Sequence, residues 1–121
     1  MYLVGADHPN KTRTRQILEQ AVFEDQRLVT DAEVMQEILH RYGSIGRPDA
    51  IEPAFAALIG LVDEVFPIDH IDVLAAHRIM QGVGLSARDA IHVTVMERYQ
   101  IDQMMSFDAG FDAYPGLVRL S

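Results

Sequence analysis

Three carboxylates stand where the chain could build an acidic site. Glu37 lies about two turns into a helix that follows an apolar segment, Asp89 opens another predicted helix, and Asp108 directly follows a third apolar segment. In open α/β sheets, binding sites gather at the carboxyl ends of the strands. Carboxylates without Cys or paired His suit hard cations such as Mg²⁺ or Mn²⁺. The chemistry that such a site performs best is phosphodiester hydrolysis, because the cation activates a bound water and neutralises charge developing on the phosphate.

Each of these carboxylates also has a purely structural interpretation. Glu37 can be a solvated residue that pairs with Arg41 one turn later, and Asp89 can stabilise its helix through the helix dipole. Asp108 and Asp112 can belong to a turn built from Asp and Gly. The helix that Asp89 opens is apolar nearly all round, which indicates burial on more than one side. A carboxylate at the mouth of a buried helix needs a partner, and a metal ion is one.

Composition and motifs argue against several other kinds of site. The 121 residues include no Cys, which excludes disulfide scaffolds and thiolate zinc sites. The five His are scattered without metal-binding spacing, and neither a Gly-rich phosphate loop nor a Gly-x-Ser-x-Gly motif is present. Zinc hydrolases, nucleotide-dependent enzymes and serine hydrolases are therefore poorly supported. His92, three residues after Asp89, could orient that carboxylate, but a satisfied helix histidine is the preferred interpretation.

The net charge narrows the kinds of partner. Ten basic residues against eighteen acidic ones give −8 and a pI near 4.9, which opposes nucleic-acid binding across a broad basic patch. A divalent cation could still bridge carboxylates to phosphate, or the acidic surface could meet a basic protein. The apolar content of 49% excludes a disordered chain, and no apolar stretch approaches the roughly 20 residues that span a bilayer. With no signal sequence in view, a cytoplasmic location is expected.

Apolar segments alternate with amphipathic ones along the chain. The predicted strands are 27–29, 65–68, 104–107 and 117–120, the last being a strand or a tail. The predicted helices are 11–24, 30–42, 48–63, 71–82 and 86–100. The spacing from Thr30 to Glu33 indicates a capping box at the second helix. This alternation predicts a single α/β domain over residues 1–121, with a parallel sheet covered by helices.

Three further segments carry a family pattern. They are Val34-Met35-Gln36-Glu37-Ile38-Leu39, Leu85-Ser86-Ala87-Arg88-Asp89-Ala90-Ile91-His92 and Met105-Ser106-Phe107-Asp108-Ala109-Gly110-Phe111-Asp112. The segment His8-Pro9-Asn10-Lys11 and the helix after it also match. In this order and spacing, over nearly the whole chain, the sequence resembles the PIN-domain ribonucleases, specifically the VapC toxins of bacterial toxin–antitoxin pairs.

The resemblance implies a PIN-like three-layer α/β/α sandwich, with Mg²⁺ or Mn²⁺ in an acidic cluster and RNA as the substrate. Asp89 would be a direct metal ligand, and Glu37 would hold the metal or orient the attacking water. Asp108 would act through neighbouring groups or a second metal. Asp112 and Ser106 would support the site.

The resemblance also implies partners. A cognate VapB-type antitoxin would neutralise the toxin, and the chain would form a homodimer. The apolar third helix, over 54–62, offers a surface for that dimer, although a place in the core is the preferred interpretation. Arg41 and Arg88 flank the expected site, where they either contact RNA phosphate or pair with Glu37 and Asp89.

One departure from the family pattern concerns the start of the chain. The family begins with a strand that ends in Asp, and residues 1–4 resemble the residues that follow it. That strand and its Asp are therefore expected to be missing, either because translation begins upstream or because this form is shortened. The alternative function is then a catalytically deficient module that binds antitoxin or itself. A third possibility is an unrelated acidic α/β interaction domain.

Overall fold

Five short strands form one sheet in the computed structural model, which describes residues 1–4, 11–106 and 108–121. The strands are β1 (Tyr2–Leu3), β2 (Val29–Asp31), β3 (Glu64–Phe66), β4 (Gln103–Met105) and β5 (Val118–Leu120). Their order is β3-β2-β1-β4-β5, and every neighbouring pair is parallel. The predicted parallel α/β sheet is confirmed, and the predicted strand 104–107 ends at a residue outside the described ones.

Helices connect the strands as the periodicity predicts. They are α1 (Lys11–Phe23), α2 (Ala32–Ser44), α3 (Ile51–Leu61), α4 (His70–Gly82) and α5 (Ala87–Arg98), with 3₁₀ turns at Pro48–Ala50 and Ala109–Ala113. Helix ends differ from the predicted ones by a few residues. Since the connections between strands contain α-helices or, between β4 and β5, a 3₁₀ turn, all strands can run in the same direction.

The centre of the sheet corrects the expectation of a missing N-terminal strand. Tyr2 pairs with Val29 of β2 on one side and with Met104 of β4 on the other. Residues 1–4 are all buried, so they fill the position that would otherwise leave β2 and β4 with unpaired backbone groups. Two residues are too few for a strand pattern to be recognised in the sequence. β1 itself carries no carboxylate, and residues 5–10 lie outside the described part of the chain.

The start of α2 differs from the predicted capping box. Asp31, not Thr30, is the N-cap, and its Oδ1 accepts a hydrogen bond of 3.1 Å from the Val34 amide. Thr30 instead remains in β2, where its hydroxyl donates to the Leu3 carbonyl at 2.7 Å. The strand therefore runs two residues further than predicted, and its last residue is a buried carboxylate.

The core lies on both faces of the sheet because β1 alternates its side chains. Tyr2 packs in a cluster with α4 and α5, whereas Leu3 packs in a second cluster with α1. α5 is buried around most of its circumference, as predicted.

α3 contradicts the interpretation of 54–62 as core. None of the residues of α3 is buried, and Ile59 and Leu61 are 57% and 41% exposed. A uniformly apolar sequence predicts burial, but the tertiary packing decides which helices are covered by other elements on more than one side. Among the described helices, none combines the length and the apolar character needed to cross a membrane.

Candidate active site

The carboxyl ends of β2, β1 and β4 meet at one edge of the sheet, because these strands are parallel neighbours. β2 ends on Asp31, where α2 begins and carries Glu37 on its second turn. α5 brings Asp89 and His92 to the same edge, and the segment after β4 brings Asp108. Three separate parts of the chain therefore contribute to one acidic region.

His92 lies between two carboxylates at the centre of this region. Its Nδ1 is 2.7 Å from Oδ2 of Asp31, and its Nε2 is 3.0 Å from Oε1 of Glu37. The Tyr2 hydroxyl donates to the same Asp31 oxygen. The side chains of His92 and Asp31 are 0% exposed, and that of Glu37 is 16% exposed. The interpretation of His92 as a satisfied helix histidine is confirmed, and its hydrogen-bond partners are Asp31 and Glu37.

The charge state of His92 follows from these partners. Burial alone lowers the pKa of an imidazole, but hydrogen bonds to Asp31 and Glu37, with the charges of both, raise the pKa of His92 to about 9. The ring is therefore protonated at neutral pH and donates from both nitrogens. Burial, followed by the Asp31 charge, raises the pKa of Tyr2, so that its hydroxyl also remains a donor.

Asp89 and Asp108 form a second, less buried pair of carboxyl groups. Burial raises the pKa of Asp89, and the neighbouring Asp108 charge raises it further. The Asp89 amide donates to the Ser86 hydroxyl at 3.2 Å, which fixes the first turn of α5. Asp108 is held from the other side, since its amide donates to the Ser106 hydroxyl at 3.1 Å and its Oδ1 accepts from the Gly110 amide at 2.8 Å.

A divalent cation fits this pair. Neither Asp89 nor Asp108 forms an ion pair with an arginine among the described residues, and the charge of His92 offsets only part of the effects that raise the pKa of Asp89. In residues 1–4, 11–106 and 108–121, no three His, Asp or Glu side chains are arranged to hold a metal ion together. Mg²⁺ commonly binds one or two carboxylates and keeps several waters. Glu37 stands apart from this pair through its bond to His92, and the metal-binding role of each carboxylate stays a prediction.

The remaining predicted site residues divide into two groups. Ser106 is buried and supports Asp108, as described above. Asp112 instead forms hydrogen bonds of 2.9 and 3.1 Å with Arg119, which lower the pKa of Asp112. Arg88 is exposed and forms no ion pair with Asp89 among the described residues, while Arg41 is exposed on α2. Contact of either arginine with phosphate stays a prediction.

Sequence reasoning missed three residues of the site. Asp31 is a strand-terminal acid, but assigning the cap to Thr30 concealed it. Burial raises the pKa of Glu33, as do the nearby charges of Glu37 and Asp31, so Glu33 belongs to the same acidic region. Tyr2 carries no local signal, since its role depends on the position of β1 beside β2.

Comparison with known proteins shows the family of this chain. The profile of the PIN domain matches residues 1–117. The ribonuclease VapC13 of Mycobacterium tuberculosis is 55% identical over 122 aligned positions, covering 100% of this chain and 93% of that protein. The chain belongs to the VapC group of PIN-domain proteins. The resemblance inferred from the sequence segments is thereby confirmed.

Solved structures of VapC proteins share the fold. VapC20 of Mycobacterium tuberculosis, described as a toxin that cleaves the sarcin–ricin loop, has a TM-score of 0.70 at 19% identity, with 98% of this chain and 97% of that chain covered. VapBC2 of Rickettsia felis, bound to a promoter DNA fragment, has a TM-score of 0.74 at 8% identity, with 98% and 96% covered. At these identities the likeness shows the PIN fold alone.

Proposed function

We propose that this VapC-type PIN domain is the endoribonuclease toxin of a toxin–antitoxin pair, and that it hydrolyses RNA phosphodiesters with Mg²⁺ or Mn²⁺. The observation that carries the proposal is the pair of neighbouring carboxyl groups, Asp89 and Asp108, at the sheet edge of a chain 55% identical to a named VapC ribonuclease. Asp89 comes from α5 and Asp108 from the segment after β4, while Glu37 of α2 is bound to His92 of α5.

In this proposal, different residues bind the cation and orient the attacking water. Asp89 and Asp108 would hold the cation, which when bound supplies an acidified water and neutralises charge on phosphate. The hydroxyls of Ser86 and Ser106 accept hydrogen bonds from the backbone amides of Asp89 and Asp108 and so fix the backbone that carries these two carboxylates. Glu37 has one oxygen bound to His92, so its second oxygen is the one that would orient the attacking water and accept its proton.

We also propose a VapB-type antitoxin and a second copy of the chain as partners. The net charge of −8 suits a basic antitoxin segment. The exposed apolar residues of α3 suit a homodimer, because a monomer rarely exposes a large contiguous apolar surface.

A catalytically deficient binding module remains the second candidate. It is favoured by a central strand without a carboxylate and by the absence, within the described ranges, of three side chains arranged to hold a metal. In this case the chain would bind its partners and leave RNA intact.

RNA cleavage by an Asp89→Asn variant separates these functions. The parent should cleave RNA with Mn²⁺ and stop when EDTA is added. Asp89→Asn should lose about 10²–10³-fold in rate, which corresponds to several kcal/mol of transition-state stabilisation. The matched control is Asp25→Asn, because Asp25 is exposed before β2 at the opposite sheet edge and its φ of 54° is one that Asn also tolerates.

Each result has a defined meaning. If Asp89→Asn cleaves at the parent's rate, the active site is misplaced. Cleavage that persists in EDTA contradicts metal dependence. A folded parent that cleaves no RNA supports the binding module.

A further inference from the structure

A chain of side-chain hydrogen bonds connects the middle of the sheet to Glu37. Tyr2 of β1 donates to Asp31 at the end of β2, Asp31 accepts from His92 of α5, and His92 reaches Glu37 of α2. Members that are directly hydrogen-bonded to each other are up to 61 residues apart in sequence. Three of the four are fully buried, and only Glu37 reaches the surface of the site.

We propose that His92 is a positioning residue that fixes one carboxylate oxygen of Glu37 and so presents the other oxygen to the reacting water. This inference rests on the proposed ribonuclease function and adds a residue to it. Among the described residues, His92 forms its hydrogen bonds with Asp31 and Glu37, and its charge also lowers the pKa of Asp89. The proposed positioning effect runs through the hydrogen bond to Glu37.

The orientation of the imidazole is determined by its inner partner. Asp31 is immobilised because its Oδ1 accepts the Val34 amide at 3.1 Å, while its Oδ2 accepts both Tyr2 and His92. With Nδ1 bound to this fixed carboxylate, rotation of the ring is restricted and the direction of Nε2 is fixed. Oε1 of Glu37 lies in that direction, 3.0 Å from Nε2.

Stability alone gives little reason for this arrangement. Buried ion pairs and triads can often be replaced by apolar residues without loss of stability, because desolvation offsets the attraction between the charges. Of the four hydrogen-bonded side chains, Glu37 is the one that reaches the surface, and it is a candidate catalytic carboxylate. An outer partner that orients a functional group typically contributes about 10–100-fold to activity.

Steady-state cleavage of RNA with Mn²⁺ tests the proposal. His92→Phe should lower kcat about 10–100-fold and leave KM within a factor of about 3. Thr94→Val is the matched control, because Thr94 is buried on the same helix but its hydroxyl donates only to the Ala90 carbonyl. In a Glu37→Gln background, His92→Phe should cause no further loss of kcat, since the two residues act as one unit.

The outcomes distinguish this inference from the proposed function. An inactive parent overturns both. An active parent with unchanged kcat in His92→Phe, or with the same fold-loss in both backgrounds, overturns the inference alone.

A measurement on protein that retains His92 covers the case in which His92→Phe fails to fold. In protein labelled with ¹⁵N at histidine, Glu37→Gln should shift the Nε2 resonance of His92, while Asp25→Asn should leave it in place. If the Nε2 resonance of His92 has the same position in Glu37→Gln as in the parent, the proposed contact is overturned.

Discussion

The hydroxyl of Tyr2 provides a sharp test of the buried hydrogen-bond chain. Tyr2→Phe keeps the ring in its fully buried position and removes only the donor to Asp31. Hydrogen bonds to charged groups contribute about 1.5–3 kcal/mol to stability. His92 remains on the same Asp31 oxygen at 2.7 Å, so the carboxylate is weakened but not left unpaired. The decrease in the free energy of unfolding should therefore be smaller than the roughly 3–5 kcal/mol that breaking a buried ion pair costs.

Urea unfolding at pH 7 without added metal measures this loss. A decrease of about 2 kcal/mol corresponds to a midpoint lowered by roughly 1 M, given the slopes usual for small domains. Tyr42→Phe is the control, because Tyr42 is half-buried on α2 and its hydroxyl makes no hydrogen bond with the described residues. It should change stability by less than about 0.5 kcal/mol. A Tyr2→Phe protein as stable as the parent would refute the placement of β1 beside Asp31.

Three further predictions concern charge and surface. The pKa of His92 is raised from 6.5 to about 9 in the folded protein, so its stabilising contribution is complete below pH 6.5 and is lost as pH rises through 9. Urea unfolding midpoints measured between pH 6.5 and 9 should therefore fall in the parent and change less in His92→Gln. Asp89→Asn should raise the thermal midpoint in EDTA, because it removes one of two neighbouring like charges that His92 offsets only in part, and should abolish any stabilisation by Mn²⁺. A lowered midpoint in EDTA would argue against that repulsion. Ile59→Glu on α3 should leave stability within about 0.5 kcal/mol but convert a dimer to a monomer in light scattering; an unchanged dimer would place the interface elsewhere.

The helices and their order could be predicted from the sequence by itself. Helical periodicity is local, so the apolar positions of each helix and the cap at Ser86 are visible without any tertiary information. The same holds for Asp89, which follows that cap by three residues. The alternation of helices with apolar segments is enough to predict a parallel sheet.

The arrangement of the site depended on the tertiary structure. β1 is recognisable only because β2 and β4 flank it, since two residues make no periodic pattern. His92 meets Asp31 across 61 residues and Glu37 across 55, distances in sequence over which no local rule applies. α3 shows the same limit, because its apolar composition predicts burial while the packing leaves it exposed. Local preference is determined by neighbours within one or two turns, whereas contact and burial are determined by what the rest of the chain places alongside.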